Sequence, residues 1–336
     1  MSVTLKDIAR ETGLSVATVS KYINGVTLKE KNRIAVEQAI EKLGYTVNEY
    51  ARSLKSNKSR TVGVVIPELG NLFIANIISR MEEILRANGY SIIICDCHSD
   101  EKLEAEAVRF LLGKMAGGII NMPVSRDGAH LQPVVEKGLP IVLVDRKIPQ
   151  LEQYASGVFI DNEAAAYEAT TLLLRNGHRD IGILLGPGDV YTSQCRLTGY
   201  RRALEEWNIP CNENRIAYSD YTVQGGFESA QALLSGGGIS AMFVTNYEMT
   251  LGAVIAVNER NIRIPEELSL IGFDNLDLSR VTHPKLTIIT QPLRDIGTQV
   301  AQIMLQQMNG EADGPVTVSL PASLLPGQSV ADIAGL

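Results

Sequence analysis

The chain has 336 residues, of which 45% are hydrophobic, and a formal net charge of −7. This apolar content is enough for two or three domains that each bury a core, which excludes a small scaffold stapled by disulfides or metal. No stretch approaches the roughly 18 apolar residues that cross a bilayer, and the amino terminus lacks the apolar core of a secretion signal, so we expect a cytoplasmic protein.

Although the net charge of the whole chain is negative, its amino-terminal segment is basic. Residues 1 to 60 carry eleven Lys and Arg against six Asp and Glu, a net charge of +5, whereas residues 61 to 336 carry a net charge of −12. A basic head on an acidic body favours a polyanionic partner for one end of the chain only. Because basic solvated surfaces are common, the charge alone also fits a head without such a partner.

The four cysteines, Cys95, Cys97, Cys195 and Cys211, form no CxxC pair. Their spacing predicts neither a disulfide framework nor a cysteine-rich zinc site, so we expect reduced, mostly buried thiols and no metal or cofactor. Cys95, Cys97 and His98 are close in sequence, which leaves a metal site there as an alternative to the end of a buried strand.

Apolar spacing predicts three short helices in residues 1 to 47. Between the first two, Gly13 can adopt the positive φ of a tight turn and Ser15 can cap the following helix. Two helices joined in this way form a helix-turn-helix, whose second helix is free to enter a major groove. The apolar positions are Leu5, Ile8 and Ala9, then Val16, Val19 and Ile23, then Val36, Ala39, Ile40 and Leu43.

The segment TLKDIARETGLSVATVSKYIN, followed by NRIAVEQAIEKLGYTVNEYARSLK, resembles the DNA-binding head of the lactose/galactose-repressor (LacI/GalR) family. The resemblance implies that Val16, Ala17 and Lys21 contact base edges in the major groove. Apolar Val16 and Ala17 can contact a thymine methyl group, and Lys21 can donate to guanine O6 or N7. The resemblance also implies residues that hold phosphates without reading sequence: Thr4, Thr18, Ser20 and Asn24.

Residues 48 to 60 resemble the hinge of the same family, which folds into a helix on DNA and enters the minor groove. Leu54 matches the leucine that wedges open the central base step, and Lys55 neighbours the same groove. The alternative for Leu54 is an ordinary core position. Two features depart from the family pattern: Val47 stands where proline is usual, and the loop from Gly25 to Lys31 is short.

From Thr61 onwards, short apolar runs alternate with longer amphipathic stretches, which predicts parallel sheets wound by right-handed crossovers. There are more of these strand–helix units than a single sheet usually contains. We therefore expect an all-α head joined to an α/β body of two doubly wound, Rossmann-like lobes, with ligands bound at the carboxyl ends of the strands. The apolar runs are VGVVI, SIIICD, GGIIN, PIVLVD, DIGILLG, AMFVT and LSLIGFD.

The body resembles the effector domain of the same family, which shares the fold of periplasmic sugar-binding proteins. The resemblance lies in the stretches NGHRDIGILLGP, RLTGYRRALEE, DYTVQGGFESAQALL, SLIGFDN and LTIITQPLRDIG. In that family the chain crosses between the lobes three times. The resemblance therefore implies a first lobe of residues 61–159 with 290–318 and a second lobe of residues 160–289 with 319–336.

We expect residues that follow strands to line the cleft between these lobes. Carboxylates, amides and a guanidinium can pair with sugar hydroxyls, while Phe73 and Tyr221 offer faces for a sugar ring. Arg196 could equally hold a carboxylate or phosphate, which leaves sugar acids and sugar phosphates open. Each of these side chains could instead be a strand-end group satisfied by the protein itself. Motif matching places seven residues there: Asn71, Phe73, Asp145, Arg196, Tyr221, Asn246 and Asp274.

The sequence contains no HExxH, GxSxG or P-loop signature, and GPGDVY fails GxGxxG at its last position, so we expect no enzyme. The resemblance implies a sequence-specific transcriptional regulator of the repressor type. Two protomers would bind a near-palindromic operator, and a sugar-like effector would shift operator affinity. Two alternatives stay open: a sugar-binding protein without a regulatory role, and a regulator controlled by a phosphoprotein corepressor, as in the family's catabolite-control branch.

Overall fold

The structure is a computed structural model that describes residues 3–23, 26–45, 59–274 and 276–335. It divides into two compact units, Met1–Arg60 and Thr61–Leu336. In the described part of the chain, no helix combines the length and the apolar composition that a membrane crossing requires.

The amino-terminal unit packs three helices around a small apolar core: α1 (Leu5–Thr12), α2 (Val16–Ile23) and α3 (Glu30–Leu43). Gly13 ends α1 with a φ of 68°, a left-handed conformation that glycine adopts without a steric penalty. The helix-turn-helix predicted from the apolar spacing is therefore confirmed. The fully or largely buried core residues are Ile8, Ala9, Val19, Val36 and Ala39.

Side chains cap both helices of this motif. The Asp7 carboxylate accepts hydrogen bonds from the Thr4 hydroxyl at 2.7 Å and the Thr4 amide at 2.9 Å, and these bonds lower the pKa of Asp7. The Thr18 amide donates to the Ser15 hydroxyl oxygen at 3.1 Å, so the predicted cap at Ser15 is confirmed. Caps of this kind stabilise a helix by about 1 kcal/mol.

The first lobe of the second unit is built on a six-stranded sheet. In chain order its strands are β1 (Thr61–Ile66), β2 (Ser91–Asp96), β3 (Gly118–Asn121), β4 (Ile141–Val144), β5 (Ser156–Ile160) and β11 (Thr317–Leu320). They lie in the order β11-β5-β4-β3-β1-β2, and every pair is parallel. Continuous burial of β3, β4 and β5 follows from their runs of Val and Ile, because helices cover both faces of such a sheet.

The second lobe is built on another six-stranded sheet. Its strands are β6 (Ile181–Leu185), β7 (Ile216–Tyr218), β8 (Ala241–Val244), β9 (Ser269–Phe273), β10 (Thr287–Thr290) and β12 (Ser323–Leu325). They lie in the order β12-β10-β9-β8-β6-β7. All pairs are parallel except β10 with β12, which is antiparallel. The expected α/β architecture of two parallel-sheet lobes is confirmed.

Helices connect the strands in both lobes. In chain order they are α4 (Leu72–Ala87), α5 (Glu101–Gly113), α6 (Gln132–Glu136), α7 (Asn162–Arg175), α8 (Tyr191–Glu206), α9 (Val223–Gly236), α10 (Tyr247–Glu259), α11 (Leu276–Val281) and α12 (Leu293–Asn309). Although α12 follows β10 of the second sheet, it packs on α4, β3, β4 and β5 of the first.

Helices α7 and α8 approach each other backbone to backbone at Gly199. A Cβ atom on Gly199 would lie 2.1 Å from the carbonyl oxygen of Glu163, so only glycine fits there. This contact fixes the position of α8 against its neighbour, and α8 carries Arg196 one turn before Gly199.

The chain passes between the two sheets at three places. It leaves the first sheet after β5 at Ile160, returns between Thr290 and Leu293, and passes again between Leu320 and Ser323. The lobe boundaries expected from the sequence fall inside β5, β10 and β11, within one or two residues of a strand end, and stay a prediction.

Candidate functional site

The exposed face of α2 carries the residues that the sequence predicts to read bases. Val16 is 41% exposed, and Ala17 and Lys21 are exposed as well. Ala17 and Lys21 are four residues apart and therefore lie on one side of the helix. The structure thus brings these three side chains together on the surface of the second helix, where a helix-turn-helix presents residues to DNA.

The residues predicted to hold phosphates are distributed over two helices. Thr4 caps α1, while Thr18 and Ser20 are half-buried on α2, with the Thr18 hydroxyl 2.9 Å from that of Ser15. The other predicted DNA contacts, Asn24, Leu54 and Lys55, lie outside the described residues, as does Val47.

A cleft between the two lobes of the second unit brings all seven predicted effector residues together. They are Asn71, Phe73 and Asp145 from the first lobe, and Arg196, Tyr221, Asn246 and Asp274 from the second. Each of them follows a strand or matches a family motif in the sequence.

Two of these residues begin helices that face the cleft from opposite lobes. The Asn71 side-chain oxygen accepts from the Ile74 amide at 3.2 Å at the start of α4. In the same way, the Asn246 side-chain oxygen accepts from the Met249 amide at 3.1 Å at the start of α10. Both side-chain oxygens are therefore engaged in capping, which leaves the amide nitrogens to meet other groups.

Three of the seven predicted cleft residues hold a left-handed backbone conformation that is uncommon outside glycine. The φ angles are 68° at Asp145, 67° at Tyr221 and 61° at Asp274. The Tyr221 hydroxyl lies 3.0 Å from that of Thr192 and 2.8 Å from that of Ser193, at the start of α8. Strained backbone of this kind is maintained by the surrounding structure and concentrates at functional sites.

Arg196 is 5% exposed, and protein acceptors already engage its guanidinium group. Its Nε donates to the Asn162 side-chain oxygen at 2.8 Å, and one terminal nitrogen donates to the Thr245 carbonyl oxygen. The guanidinium carbon also lies 4.0 Å from the centre of the Phe273 ring. Arg196 therefore connects α7, α8 and the end of β8 at the wall of the cleft.

Asp274 is the most perturbed acid of the cleft. Burial raises its pKa to about 7, against the opposing effects of Arg196 and of Gln291. The Gln291 backbone amide donates to Oδ1 at 3.1 Å and its side-chain amide donates to Oδ2 at 2.5 Å. The negative charge of Asp145 raises the pKa of Asp274 further, so the two predicted carboxylates of the cleft repel each other electrostatically.

Several lining residues were missed from the sequence. Asp220 and Arg146 directly adjoin the predicted Tyr221 and Asp145, so inspecting each strand-end loop as a whole would have found them. Glu68 follows β1 in the same way. Gln291 gave no such signal, because it lies in a connection between the lobes. Among the described residues, the lining residues that were missed are Pro67, Glu68, Ile74, Ser99, Met122, Arg146, Thr192, Asp220, Tyr247 and Gln291.

Comparison with known proteins finds a matching family model in each of the two units. Residues 4–48 match a family model described as bacterial regulatory proteins, lacI family, and residues 170–330 match one described as periplasmic binding protein-like domain. Catabolite control protein A of Priestia megaterium is 36% identical over 324 residues, which are 96% of this chain and 97% of that protein. The chain belongs to the lacI family of bacterial regulatory proteins. This lacI-family chain is a DNA-binding transcriptional regulator and not an enzyme.

Other relatives agree with this assignment. The transcriptional repressor CytR of Escherichia coli K12 is 33% identical over 314 residues, 93% of this lacI-family chain and 91% of CytR. A lac repressor dimer bound to operator and the anti-inducer ONPF superposes with a TM-score of 0.85 at 26% identity, covering 98% of this chain and all of that one. The CelR–cellobiose complex superposes with a TM-score of 0.75 at 28% identity, covering 97% and 99% of the two chains.

Proposed function

We propose that the chain is a repressor whose affinity for a near-palindromic operator is set by a small polyhydroxylated effector bound between the lobes. It would act as a homodimer in the cytoplasm, where its DNA target is. The observation that carries the proposal is the convergence, in one cleft, of seven side chains named from the sequence as effector ligands. The helix-turn-helix unit would provide the DNA-binding function of the same repressor.

On the DNA side, Val16, Ala17 and Lys21 would read base edges. Their exposure on one helix and the basic charge of residues 1 to 60 support this role. Thr4, Thr18, Ser20 and Asn24 would hold phosphates, and Leu54 with Lys55 would enter the minor groove at the operator centre; these roles rest on the family resemblance. Two heads related by dimer symmetry would bind two half-sites.

On the effector side, Phe73 and Tyr221 supply aromatic faces, and Asp145 and Asp274 supply carboxylate acceptors for hydroxyl groups. The solved CelR structure, which resembles this chain over 97% of its length, is a complex with cellobiose. That ligand supports a sugar as the class of effector for this chain.

The proposed coupling uses the three connections between the lobes. An effector that contacts both lobes stabilises the relative position of the lobes in which all of its contacts are made. A change in the position of the lobes would then change the spacing of the two hinges on the operator. Such linkage between two sites is typically worth about 1 to 3 kcal/mol. The direction of the response depends on which arrangement binds the operator.

The test combines operator selection with a ligand screen. The purified chain is used to select duplexes from random DNA, and its affinity for the selected duplex is then measured with and without sugars. We expect a dyad-symmetric sequence and at least one sugar that changes the affinity. Asp274→Ala should remove the sugar response and retain DNA binding, whereas Leu54→Ala should weaken operator binding and retain sugar affinity. Absence of preference for any dyad-related duplex contradicts the proposal.

A second candidate is a regulator that responds to a phosphoprotein corepressor. The family resemblance implies this for the catabolite-control branch, and the 36% identity to Catabolite control protein A favours it. In that case no sugar changes operator affinity when the chain is tested alone, and a response appears only when a phosphorylated partner protein is added.

A further inference from the structure

The cleft contains more negative than positive side chains. Glu68, Asp145 and Asp220 line it, against two guanidinium groups, those of Arg146 and Arg196, and Asp274, whose pKa is about 7, adds a partial negative charge near neutral pH. Asp220 accepts hydrogen bonds from the Thr222 amide at 3.0 Å and the Thr222 hydroxyl at 2.7 Å. These bonds lower its pKa although burial opposes them, so it is ionised at neutral pH.

Protein acceptors engage both guanidinium groups. Arg196 donates to Asn162 and to the Thr245 carbonyl oxygen, as described above. Arg146 donates to the Pro123 carbonyl oxygen at 3.0 Å, and its Nε lies 3.6 Å from the Asp145 carboxylate. Its guanidinium carbon also lies 5.8 Å from the centre of the Tyr221 ring. Part of the N–H donors of each guanidinium are therefore engaged by the protein, which leaves fewer of them for an anionic ligand.

The two asparagine amides of the cleft also lie beside a group of the protein. Burial and the charge of Glu68 raise the pKa of the Glu248 carboxyl, and the side-chain amides of Asn246 and Asn71, which lie beside it, only partly offset that rise. Both amides therefore adjoin a buried acid of the protein, whose Oε2 finds no hydrogen-bond partner among the described residues.

An acceptor is left without a partner at the same site. The Gln291 side-chain oxygen is buried and finds no hydrogen-bond donor among the described residues, while the nitrogen of the same amide donates to Asp274. Gln291 is 9% exposed and lines the cleft. A buried carbonyl oxygen without a donor is unfavourable, and a ligand that donates a hydrogen bond to it removes that cost.

We propose that the cleft selects neutral or positively charged polyhydroxylated compounds, which donate hydrogen bonds, and rejects sugar acids and sugar phosphates. This inference rests on the proposed effector site and narrows its ligand class. Hydroxyl and ammonium groups match the carboxylates and the Gln291 oxygen, whereas a carboxylate or phosphate offers acceptors at the point where acceptors already predominate. The guanidinium of Arg196, which from the sequence could have held an anion, serves the wall of the cleft instead.

The experiment compares matched series of ligands on the full chain. For glucose, galactose and mannose, the parent sugar, the 2-amino sugar, the uronic acid and the 6-phosphate are titrated calorimetrically at pH 7.5 and low salt. We expect the parent or amino compound of at least one series to bind at least tenfold more tightly than the acid and the phosphate of that series. Tighter binding of an acid or a phosphate overturns the inference, and so does a panel in which no compound binds.

A variant test separates charge from shape. Asp145→Asn removes a negative charge from the cleft wall, so the ratio of uronic acid affinity to parent sugar affinity should rise at least threefold. The matched control is Asp180→Asn, which removes an exposed acid paired with Arg215 outside the cleft and should leave that ratio unchanged. An unchanged ratio in Asp145→Asn contradicts the electrostatic selection.

Operator affinity is measured in the same samples, so that a failure of the proposed ligand class can be distinguished from a failure of the proposed regulatory role. A sugar phosphate that binds and changes operator affinity would leave the regulator in place and overturn the ligand class. A neutral sugar that binds without any effect on operator affinity would support the ligand class and contradict the regulatory role.

Discussion

Gln291 donates two hydrogen bonds to Asp274 from the connection in which the chain returns from the second lobe to the first. Asp274 follows β9 and lines the cleft, while Gln291 lies between β10 and α12, whose helix packs on the first sheet. A ligand that engages the Asp274 carboxylate therefore acts on a group that is bonded directly to an interlobe connection. This pair links the proposed effector site to the movement that the proposed coupling requires.

Asp274 makes the stability of the body depend on pH. Its pKa is about 7 in the folded chain and close to the ordinary value of 3.8 in the unfolded chain. Between these values the folded chain retains a proton that the unfolded chain has lost, so unfolding becomes easier as the pH rises. The complete shift corresponds to roughly 4 kcal/mol.

We expect Asp274→Asn, which cannot titrate, to remove this dependence. The free energy of unfolding of the variant, relative to that of the natural chain, should increase from pH 4 to pH 7 and then level off. Urea unfolding at one-unit pH intervals measures it, with Asp180→Asn as the exposed control. Parallel curves for variant and natural chain would show that Asp274 is not the titrating group.

Arg196 should contribute mainly to stability. Arg196→Met leaves the buried acceptors on Asn162 and Thr245 without a donor, and each orphaned acceptor costs about 1 to 3 kcal/mol. We expect the free energy of unfolding to fall by at least about 2 kcal/mol. Arg201→Met on the same helix removes an exposed ion pair with Glu213 and should change it by less than about 0.5 kcal/mol. Equal effects of the two substitutions would contradict the structural role of Arg196.

Lys21 should determine one base of the operator. We expect Lys21→Ala to reduce discrimination at a single position by about 1 to 3 kcal/mol, because we propose that this exposed side chain donates to a guanine. Competition binding with operators altered one base pair at a time measures this. Lys42→Ala is the control, since Lys42 is paired with Glu11 at 2.6 Å on a different helix. A uniform loss over all operators would assign Lys21 to a phosphate.

The Ser15 cap should stabilise α2 directly. Ser15→Ala removes the hydroxyl that accepts from the Thr18 amide, at a cost of about 1 kcal/mol. Faster amide hydrogen exchange in residues 16–23 of the full chain is the expected result. Thr27→Ala, at an exposed position outside the helices, should leave this exchange unchanged. Equal exchange in Ser15→Ala and the natural chain would show that the cap is dispensable.

Much of the fold could be predicted because the buried strands are long runs of Val and Ile, as in β1, β4 and β6. Strands β7 and β12 have only three residues each, and β11 alternates exposed and half-buried positions at the edge of its sheet. Such strands are set by pairing with a neighbour rather than by their own composition, so the apolar runs did not reveal them.

The sequence was sufficient to predict which residues line the candidate site. It was not sufficient to predict which of their donor and acceptor atoms are free to bind a ligand. Strand ends identified Asp145, Asn246 and Asp274 because loops at the carboxyl edge of a parallel sheet meet there. The sequence could not show that Arg196 is already bonded, since its acceptors lie 34 and 49 residues away along the chain. Contacts of that range depend on tertiary packing, which no local pattern encodes.

The glycine contact between α7 and α8 divides the cleft into a fixed part and a variable part. A helix pair whose backbones touch cannot slide or separate without a rearrangement of the whole lobe, so Arg196 and the start of α8 form a permanent frame. The loops that carry Glu68 and Asp145 show no such close glycine contact among the described residues. Divergence of ligand preference among related regulators can therefore proceed by substitution in those loops while the frame is inherited unchanged.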